Sequence, residues 1–201
     1  MKILVLFLFL SATIFMFLNK AQTAAHPAFS SISRQCSDGW KITGYFTPVE
    51  ADYATDETTE ITVPGLTDKL VFSSKFIRAI IIEGWGKTNA GWYLGYDHET
   101  QKWQKSSAPL DNNGDALTVG MIAADKSVLQ MNSKVSIPSL PSDWGKMIYT
   151  ATDIGLTELG EVSVKNKHID VYTGEGKEAE RQTFVITRES PDELVEVCAV
   201  D

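Results

Sequence analysis

The chain is poor in cysteine and in basic residues, and beyond its first 25 residues it lacks any long apolar run. It has 18 lysines and arginines against 26 aspartates and glutamates, a formal net charge of −8. This balance argues against a nucleic-acid partner, which is bound through clustered Lys and Arg, and it gives no attraction to anionic lipid. A neutral or zwitterionic partner, such as a polysaccharide, fits the charge better.

The first 25 residues have the layout of a secretory signal. Lys2 precedes an apolar run that ends at Leu18, and small residues follow at Ala21, Ala24 and Ala25. An uncleaved membrane anchor is the alternative. We expect cleavage, which predicts a secreted or periplasmic protein with a single domain at 26–201. We expect it to be a monomer without membrane contact after cleavage.

Only two cysteines occur, Cys36 and Cys198, near the two ends of the predicted domain. Export to an oxidising compartment favours a disulfide between them, with two free thiols as the alternative. A bridge closing so long a loop stabilises the fold by up to about 4–5 kcal/mol in the chain-entropy model.

Short β-like runs punctuated by Gly, Pro and Asn dominate the rest of the chain, and helical periodicity is almost absent. The runs are "WKITGYFTPVEADY", "EITVPG", "KLVFSS", "RAIIIEGWG", "GWYLGYD", "ALTVGMIAAD", "SKVSIPSL", "GKMIYTATDIG", "KHIDVY", "QTFVITR" and "DELVEVCAV". "KEAERQ", after Gly176, favours a short helix. This pattern predicts an all-β barrel or sandwich.

The familiar catalytic and cofactor motifs are missing. The sequence has no Gly-x-Ser-x-Gly, no phosphate-binding loop and no Cys-His pairing. His168 and Asp170 share one face of a predicted strand, but no third ligand has convincing spacing and His98 is isolated, so we expect no metal. No cofactor is expected either.

Three aspartates sit in or at the end of strongly apolar strands. Asp125 follows "MIAA", Asp153 follows "IYTAT", and Asp170 lies between Ile169 and Val171. If these strands converge in a barrel, the carboxylates raise one another's pKa and leave one protonated near neutral pH, as general-acid cleavage of a glycosidic bond requires. The alternatives are turn caps and an ordinary solvated strand face.

Taken together, "AAD", "IYTATDIG" and "KHIDVYTGEG" resemble the signature of the three-aspartate (3D) domain family. That domain forms the catalytic barrel of membrane-bound lytic murein transglycosylase A and occurs alone in related secreted bacterial proteins. "ITGYFTPVE" and "GWGKTNAGWYLGY" also resemble segments of these proteins, so the likeness runs from about Gly39 to Thr187. It implies a six-stranded double-psi β-barrel with short extra strands.

The resemblance implies cleavage of peptidoglycan between its two sugars. Asp170 matches the third aspartate and would act as acid and then as base, giving a 1,6-anhydromuramic product. Asp153 and Asp125 match the other two, with supporting roles. The chain departs from the family after Asp153: it keeps only Gly155 of a glycine pair and has a longer loop containing Glu158 and Glu161, which could alter substrate choice or block the site.

Aromatic residues are dense between positions 85 and 103, where flat rings can stack on sugars or fill a core. The predicted substrate-binding residues are Tyr45, Thr43, Trp85, Trp92, Tyr96, Gly155 and Tyr172, and we expect about two of the five rings Trp85, Trp92, Tyr93, Tyr96 and Trp103 to face ligand. Two other functions remain open. One is a β-1,4-glucan hydrolase using Asp153 and Asp170, and the other is an expansin-like, non-catalytic wall-binding module.

Overall fold

Residues 35–155 and 164–200 are described by a computed structural model of the chain, and all of them belong to one compact unit. The expected signal segment, and Glu158 and Glu161 of the lengthened loop, lie outside the described residues. Within the described ranges, no helix is both long enough and apolar enough to cross a membrane.

Six strands form a closed barrel in the order β1–β10–β7–β9–β8–β11. The strands are β1 (Cys36–Thr47), β7 (Met121–Ala124), β8 (Lys134–Ser136), β9 (Ile148–Asp153), β10 (His168–Glu175) and β11 (Val195–Val200). The pairs β1–β10 and β7–β9 are parallel and the other four pairs are antiparallel. The fold is rich in strands and has few helices, which confirms the predicted all-β-like class.

The barrel is filled by alternate apolar side chains of its strands. Ile42 of β1, Ile122 of β7 and Ile169 and Val171 of β10 are fully buried in one cluster. Because successive side chains of a strand point to opposite faces, the burial of Ile169 and Val171 puts Asp170 on the other face of β10. This alternation is what sends the carboxyl group out of the core.

The segment 58–106, here named the insert, lies between β1 and β7 in the chain and has secondary structure of its own. It contains β2 (Thr58–Ile61), β3 (Leu70–Ser73), α1 (Ser74–Glu83), β4 (Trp85–Lys87), β5 (Tyr93–Asp97) and β6 (Lys102–Ser106). The strands form a two-stranded sheet, β2–β3, and a three-stranded sheet, β4–β5–β6. Phe76, Ile77 and Ile80 of α1 pack with Phe72 and Leu94 in the core of the insert.

The sequence prediction was wrong for α1, since "RAIIIEGWG" was expected to be a strand. The run of β-branched isoleucines favours a strand, but Phe76, Ile77 and Ile80 are spaced to form one buried stripe of a helix. Gly84, at φ 86°, ends α1 with an N–H that donates to the carbonyl of Ile80. The tertiary contacts of that stripe outweigh the local strand preference.

The helix expected after Gly176 is present as α2 (Gly176–Ile186) and is longer than expected. "QTFVITR" was predicted to be a strand, but this segment continues α2 as far as Ile186. α2 packs directly on β1 at Gly44, where a Cβ atom would lie 2.8 Å from the Cα of Thr183. The glycine therefore lets the helix touch the strand backbone.

The predicted disulfide is confirmed. Cys36 and Cys198 are bonded across a directly paired position of β1 and β11, with a sequence separation of 162. The bridge joins the first strand of the barrel to the last.

Candidate active site

A cleft of about 770 Å³ lies between the barrel and the insert. The barrel contributes Thr43, Tyr45, Ala123, Asp153 and Asp170 to its walls, and the insert contributes Glu83, Trp85, Tyr96, Asp97, His98, Glu99 and Gln104. The segment between β6 and β7 adds Leu110, Asp111, Asn112 and Leu117. Two of the three sequence-predicted aspartates thus lie in one cleft.

Strand register explains how Asp153 and Asp170 come together. Ala123 of β7 pairs with Asp170 of β10 on one side and with Asp153 of β9 on the other. On the far side of β10, Thr43 of β1 pairs with Asp170. The four residues form a row across adjacent strands, so the two carboxylates flank a small alanine.

Asp170 is half-buried, and its Oδ1 accepts a hydrogen bond of 2.8 Å from Oγ1 of Thr43. Burial raises the pKa of Asp170 to about 6; the hydrogen bond from Thr43 lowers it and the charge of Asp153 raises it. Among the described residues no Lys or Arg forms a salt bridge with this carboxyl group. Asp170 can therefore hold a proton in mildly acidic solution.

Asp153 ends β9, and its carboxylate accepts two hydrogen bonds. The backbone N–H of Ile154 donates to Oδ1 at 2.9 Å, and the hydroxyl of Tyr45 donates to Oδ2 at 3.1 Å. Burial nevertheless raises the pKa of Asp153 to about 6, and the charge of Asp111 adds to the rise. Asp153 is thus better anchored than Asp170, with a similar proton affinity.

Glu83 is a third carboxyl group in the cleft with a raised pKa, and the sequence analysis did not predict it. It is the last residue of α1, and its Oε2 accepts a hydrogen bond of 3.1 Å from the backbone N–H of Phe46. The pKa of Glu83 is raised to about 8, chiefly by burial and also by the charges of Asp170 and Glu180, while the hydrogen bond from Phe46 opposes the rise. A carboxyl at the end of an apolar run was visible in the sequence, but predicting that run as a strand concealed its position.

Strand β1 therefore contacts, within four residues, the three carboxyl groups of the cleft whose pKa is raised. Thr43 donates to Asp170, Tyr45 donates to Asp153, and the N–H of Phe46 donates to Glu83. Burial and the nearby carboxylates also raise the pKa of Tyr45, so its hydroxyl remains a donor. The acids come from three different elements, and one strand sets their relative positions.

Two of the further polar residues that line the cleft, Asp111 and His98, are buried, and neither was predicted as a site residue. Asp111 is buried; its Oδ1 caps a turn by accepting from the N–H groups of Asn113 and Asp115, while its Oδ2 has no hydrogen-bond partner in the described structure. His98 is also buried, with its ring edge-on to Tyr96. Asp111 precedes Asn113-Gly114, a dipeptide typical of turns, and its Oδ1 bonds hold that turn.

Asp125 does not join the other two aspartates, which corrects the expectation of a three-carboxylate cluster. It lies two residues beyond Ala123, past the end of β7, and it does not line the cleft. Its Oδ1 accepts from the hydroxyl and N–H of Ser127, and its Oδ2 accepts from the N–H of Asn166. These bonds lower the pKa of Asp125, so its role is to cap a turn and tie strand ends together.

The aromatic residues divide between cleft and core. Trp85 and Tyr96 line the cleft, as do Tyr45 and Gly155. Trp92 does not line it: its ring packs edge-on to Phe72, beneath the ammonium group of Lys105. Tyr172, only 2% exposed, hydrogen-bonds to Thr47 and packs on Tyr45. The expected ligand contacts of Trp92 and Tyr172 are therefore corrected to packing roles.

The described residues offer little for a metal centre. Within residues 35–155 and 164–200, the only group of three potential ligands within reach of one another is Cys36, Glu196 and Cys198. Both sulfurs of that group are joined in the disulfide and are not thiolate ligands.

No protein-family model matches the sequence, and no curated protein is a significant match. The fold, however, is similar to that of solved lytic transglycosylases. MltA from E. coli with bound chitohexaose matches with a TM-score of 0.56 at 15% identity, over 80% of this chain and 71% of that one. A further Escherichia coli MltA structure matches with a TM-score of 0.52 at 14% identity, over 80% of this chain and 71% of that one. The membrane-bound lytic murein transglycosylase from Agrobacterium tumefaciens matches with a TM-score of 0.50 at 9% identity, over 83% of this chain and 76% of that one. The chain therefore has an MltA-like fold.

Proposed function

We propose that this chain is a lytic-transglycosylase-like enzyme that cleaves glycosidic bonds of peptidoglycan. The observation that carries the proposal is the pair Asp153 and Asp170, two carboxyl groups with raised pKa that face one cleft in an MltA-like fold. Export to the cell envelope, as the N-terminal sequence predicts, fits such a substrate. The parallel pairs β1–β10 and β7–β9 are compatible with the double-psi barrel that the resemblance implies, and that description belongs to the same proposal.

In the proposed reaction Asp170 is the general acid. Its protonated carboxyl gives a proton to the bridging oxygen as the bond to C1 of the muramic sugar breaks and oxocarbenium character develops. The resulting carboxylate then takes the proton of that sugar's C6 hydroxyl, whose oxygen bonds to C1 and closes a 1,6-anhydro ring. One residue loses and regains one proton, so the cycle consumes no water.

The walls of the cleft favour a neutral substrate. Six acidic residues line it, and no lysine or arginine is among the described residues that do. An anionic ligand such as a phosphate ester would meet this field without a counter-charge. An uncharged acetamido sugar would not, and the half-buried ring of Tyr96 in the cleft wall offers a surface for its apolar faces.

Digestion of purified peptidoglycan, with mass analysis of the fragments, tests the proposal. We expect fragments ending in anhydromuramic acid, which are one water lighter than hydrolysis products. Asp170→Asn should reduce the rate at least 100-fold, since the amide has no proton to give. Asp153→Asn should reduce it less. Asp143→Asn, a change to an exposed carboxylate, serves as the control and should leave the rate unchanged.

A hydrolase of β-1,4-glycans is the second candidate, because two carboxyl groups of similar pKa in one cleft also suit an acid and a base. Reducing ends in place of anhydro ends, with Asp153→Asn as damaging as Asp170→Asn, would favour it. Wall binding without release of any sugar would instead support the non-catalytic module.

A further inference from the structure

Thr43 is hydrogen-bonded to two residues of β10 at once. Its Oγ1 lies 2.8 Å from Oδ1 of Asp170 and 2.8 Å from Nε2 of His168. The geometry follows from strand pairing, because β1 and β10 are parallel with Lys41 opposite His168 and Thr43 opposite Asp170. Positions 168 and 170 share a face of β10, so one hydroxyl between them reaches both side chains.

A threonine hydroxyl carries only one hydrogen, which limits how this chain of three groups can be bonded. If Nε2 of His168 accepts that hydrogen, an ionised Asp170 has no remaining donor among the described residues. If Nε2 carries a hydrogen and donates it, the hydrogen of Thr43 is free to point at Asp170. The Nε2–H tautomer therefore satisfies both bonds at once, whereas with the Nδ1–H tautomer Nε2 and the carboxylate compete for the one hydrogen of Thr43.

We propose that His168 is a positioning residue for Asp170: its Nε2–H donates to Thr43 Oγ1 and thereby turns the Thr43 hydrogen toward Oδ1 of Asp170. Oδ1 then always accepts, so a proton bound by Asp170 resides on Oδ2. The chain of bonds fixes which carboxyl oxygen is acidic without any contact between His168 and a ligand. The catalytic meaning of this arrangement rests on the proposed function, but the arrangement itself does not.

His168 is suited to the role because it stays neutral. Burial lowers its pKa to about 4, the charge of Lys41 lowers it further and that of Glu189 opposes the effect. At neutral pH its imidazole ring is therefore uncharged and carries one N–H group. A partly buried imidazolium beside the barrel would otherwise shift the titration of Asp170 by its charge.

Other charged groups also act on Asp170, and any pH dependence has to be compared with their effects. Asp153 of β9 raises the pKa of Asp170 and Lys41 of β1 lowers it. The charge of Asp170 in turn raises the pKa of Glu83 of α1 and of Tyr45 of β1. Ala123, its partner on β7, does not titrate. None of these groups hydrogen-bonds to Thr43 in the described structure, so the effect of the His168–Thr43 pair can be isolated by substitution.

The direct test is NMR of the unliganded protein. Nitrogen shifts of His168 should report the Nε2–H tautomer near pH 7, and carboxyl-carbon titration gives the midpoint of Asp170. His168→Ala should raise that midpoint by about half a pH unit, because Thr43 loses the donor that orients it. Thr43→Val should raise it by about one unit, and Thr43→Ser, which keeps the hydroxyl, should not.

His168→Gln is the informative conservative variant, since its amide N–H can donate to Thr43 but cannot titrate. It should restore the midpoint of the wild-type protein. In a Thr43→Val background, His168→Ala should cause no further shift, because the proposed effect passes through the hydroxyl. An Nδ1–H tautomer, a lowered midpoint in His168→Ala, or additive shifts in the double variant would overturn the proposal.

Kinetics supply the readout that depends on the proposed function. The rate should fall as Asp170 ionises, so His168→Ala should shift the alkaline limb of the kcat/KM profile to higher pH by about the same half unit. The KM should stay within about two-fold of the wild-type value. A protein that releases no sugar would contradict the proposed function and leave the NMR test standing. If the protein cleaves peptidoglycan but the alkaline limb of kcat/KM is the same in His168→Ala as in the wild type, only the role of His168 is contradicted.

Discussion

The hydroxyl of Tyr45 donates a hydrogen bond of 3.1 Å to Oδ2 of Asp153. This bond stabilises the ionised form of Asp153 and partly offsets the rise in pKa that burial causes. Tyr45→Phe removes the bond and keeps the ring. We expect the pKa of Asp153 to rise above its value of about 6, and the cleavage rate to fall roughly three- to ten-fold.

Carboxyl-carbon NMR titration of the Tyr45→Phe protein checks the first part of that prediction. Tyr53→Phe, a loss of a hydroxyl in the 3-10 turn at Glu50–Tyr53, is the control and should leave Asp153 unchanged. An unshifted or lowered midpoint in Tyr45→Phe would show that the hydroxyl does not act on Asp153.

The raised pKa of Glu83 predicts how stability depends on pH. A carboxyl whose pKa is about 8 when folded and ordinary when unfolded binds its proton more tightly in the native state. Its contribution is therefore complete below about pH 4 and is lost as pH rises toward 8, with Asp153 and Asp170 acting in the same direction up to about pH 6. Glu83→Gln should remove the part of this loss that falls between about pH 6 and 8, on the order of a few kcal/mol.

Urea unfolding at about pH 5, 7 and 8.5 measures this effect. The amide oxygen of the introduced glutamine can still accept from the N–H of Phe46, so the variant should fold normally. Glu178→Gln, at a fully exposed carboxylate, should retain the pH slope of the wild-type protein. If Glu83→Gln retains that slope too, Glu83 is ionised in the native state.

The close contact of α2 with β1 predicts that Gly44→Ala is destabilising. A Cβ at position 44 would overlap the backbone of Thr183, which has no room to retreat because Ile186 is fully buried beside it. We expect a loss of roughly 1–3 kcal/mol in the free energy of unfolding. Hydrogen exchange should show the loss concentrated in α2, whereas unchanged protection of α2 would contradict the packing argument.

The disulfide predicts a stability effect without a matching loss of cleft geometry. Replacing Cys36 and Cys198 together by alanine should lower the free energy of unfolding by roughly 2–4 kcal/mol. β1 remains paired with β10 in that variant, so the carboxyl titrations of Asp153 and Asp170 should be retained below the unfolding temperature. Thermal unfolding followed by circular dichroism measures the first effect and NMR the second.

The position of Tyr96 in the cleft wall predicts a role in binding sugar. Tyr96→Ala should weaken the binding of a chitin oligosaccharide about three- to ten-fold, as expected for loss of one stacked ring. Trp92→Phe, outside the cleft, is the aromatic control and should bind normally by calorimetry. Equal losses in both variants would indicate that the insert had been perturbed as a whole.

Asp170 could be assigned a face from the sequence because it lies between two core residues of one strand, and a period-two pattern fixes the facing of a side chain. Asp153 was visible in the sequence at the end of an apolar run, but it comes to lie opposite Ala123 through a register shift in the β7–β9 pairing, which the sequence does not show. The chain-spanning disulfide was equally accessible, since only one pairing is possible. Asp125 could not be separated from them, because the sequence does not show that β7 ends one residue earlier.

What the sequence could not reveal depends on tertiary contacts. The isoleucines of α1 favour a strand locally, and only their packing with Phe72 and Leu94 stabilises a helix. That error hid Glu83. Asp111 and His98 were missed because their approach to the cleft is set by the insert and by the turn before β7, not by any periodic pattern.

The division of the cleft wall has an engineering consequence. The groups proposed for chemistry stand on the barrel, while most of the ring surface stands on a separate segment with its own apolar centre. Exchanging 58–106 for a segment of different length, with Glu83 retained, would then alter saccharide preference while the acid–base apparatus keeps its alignment. Under the proposed function, selectivity and reactivity would be separately evolvable.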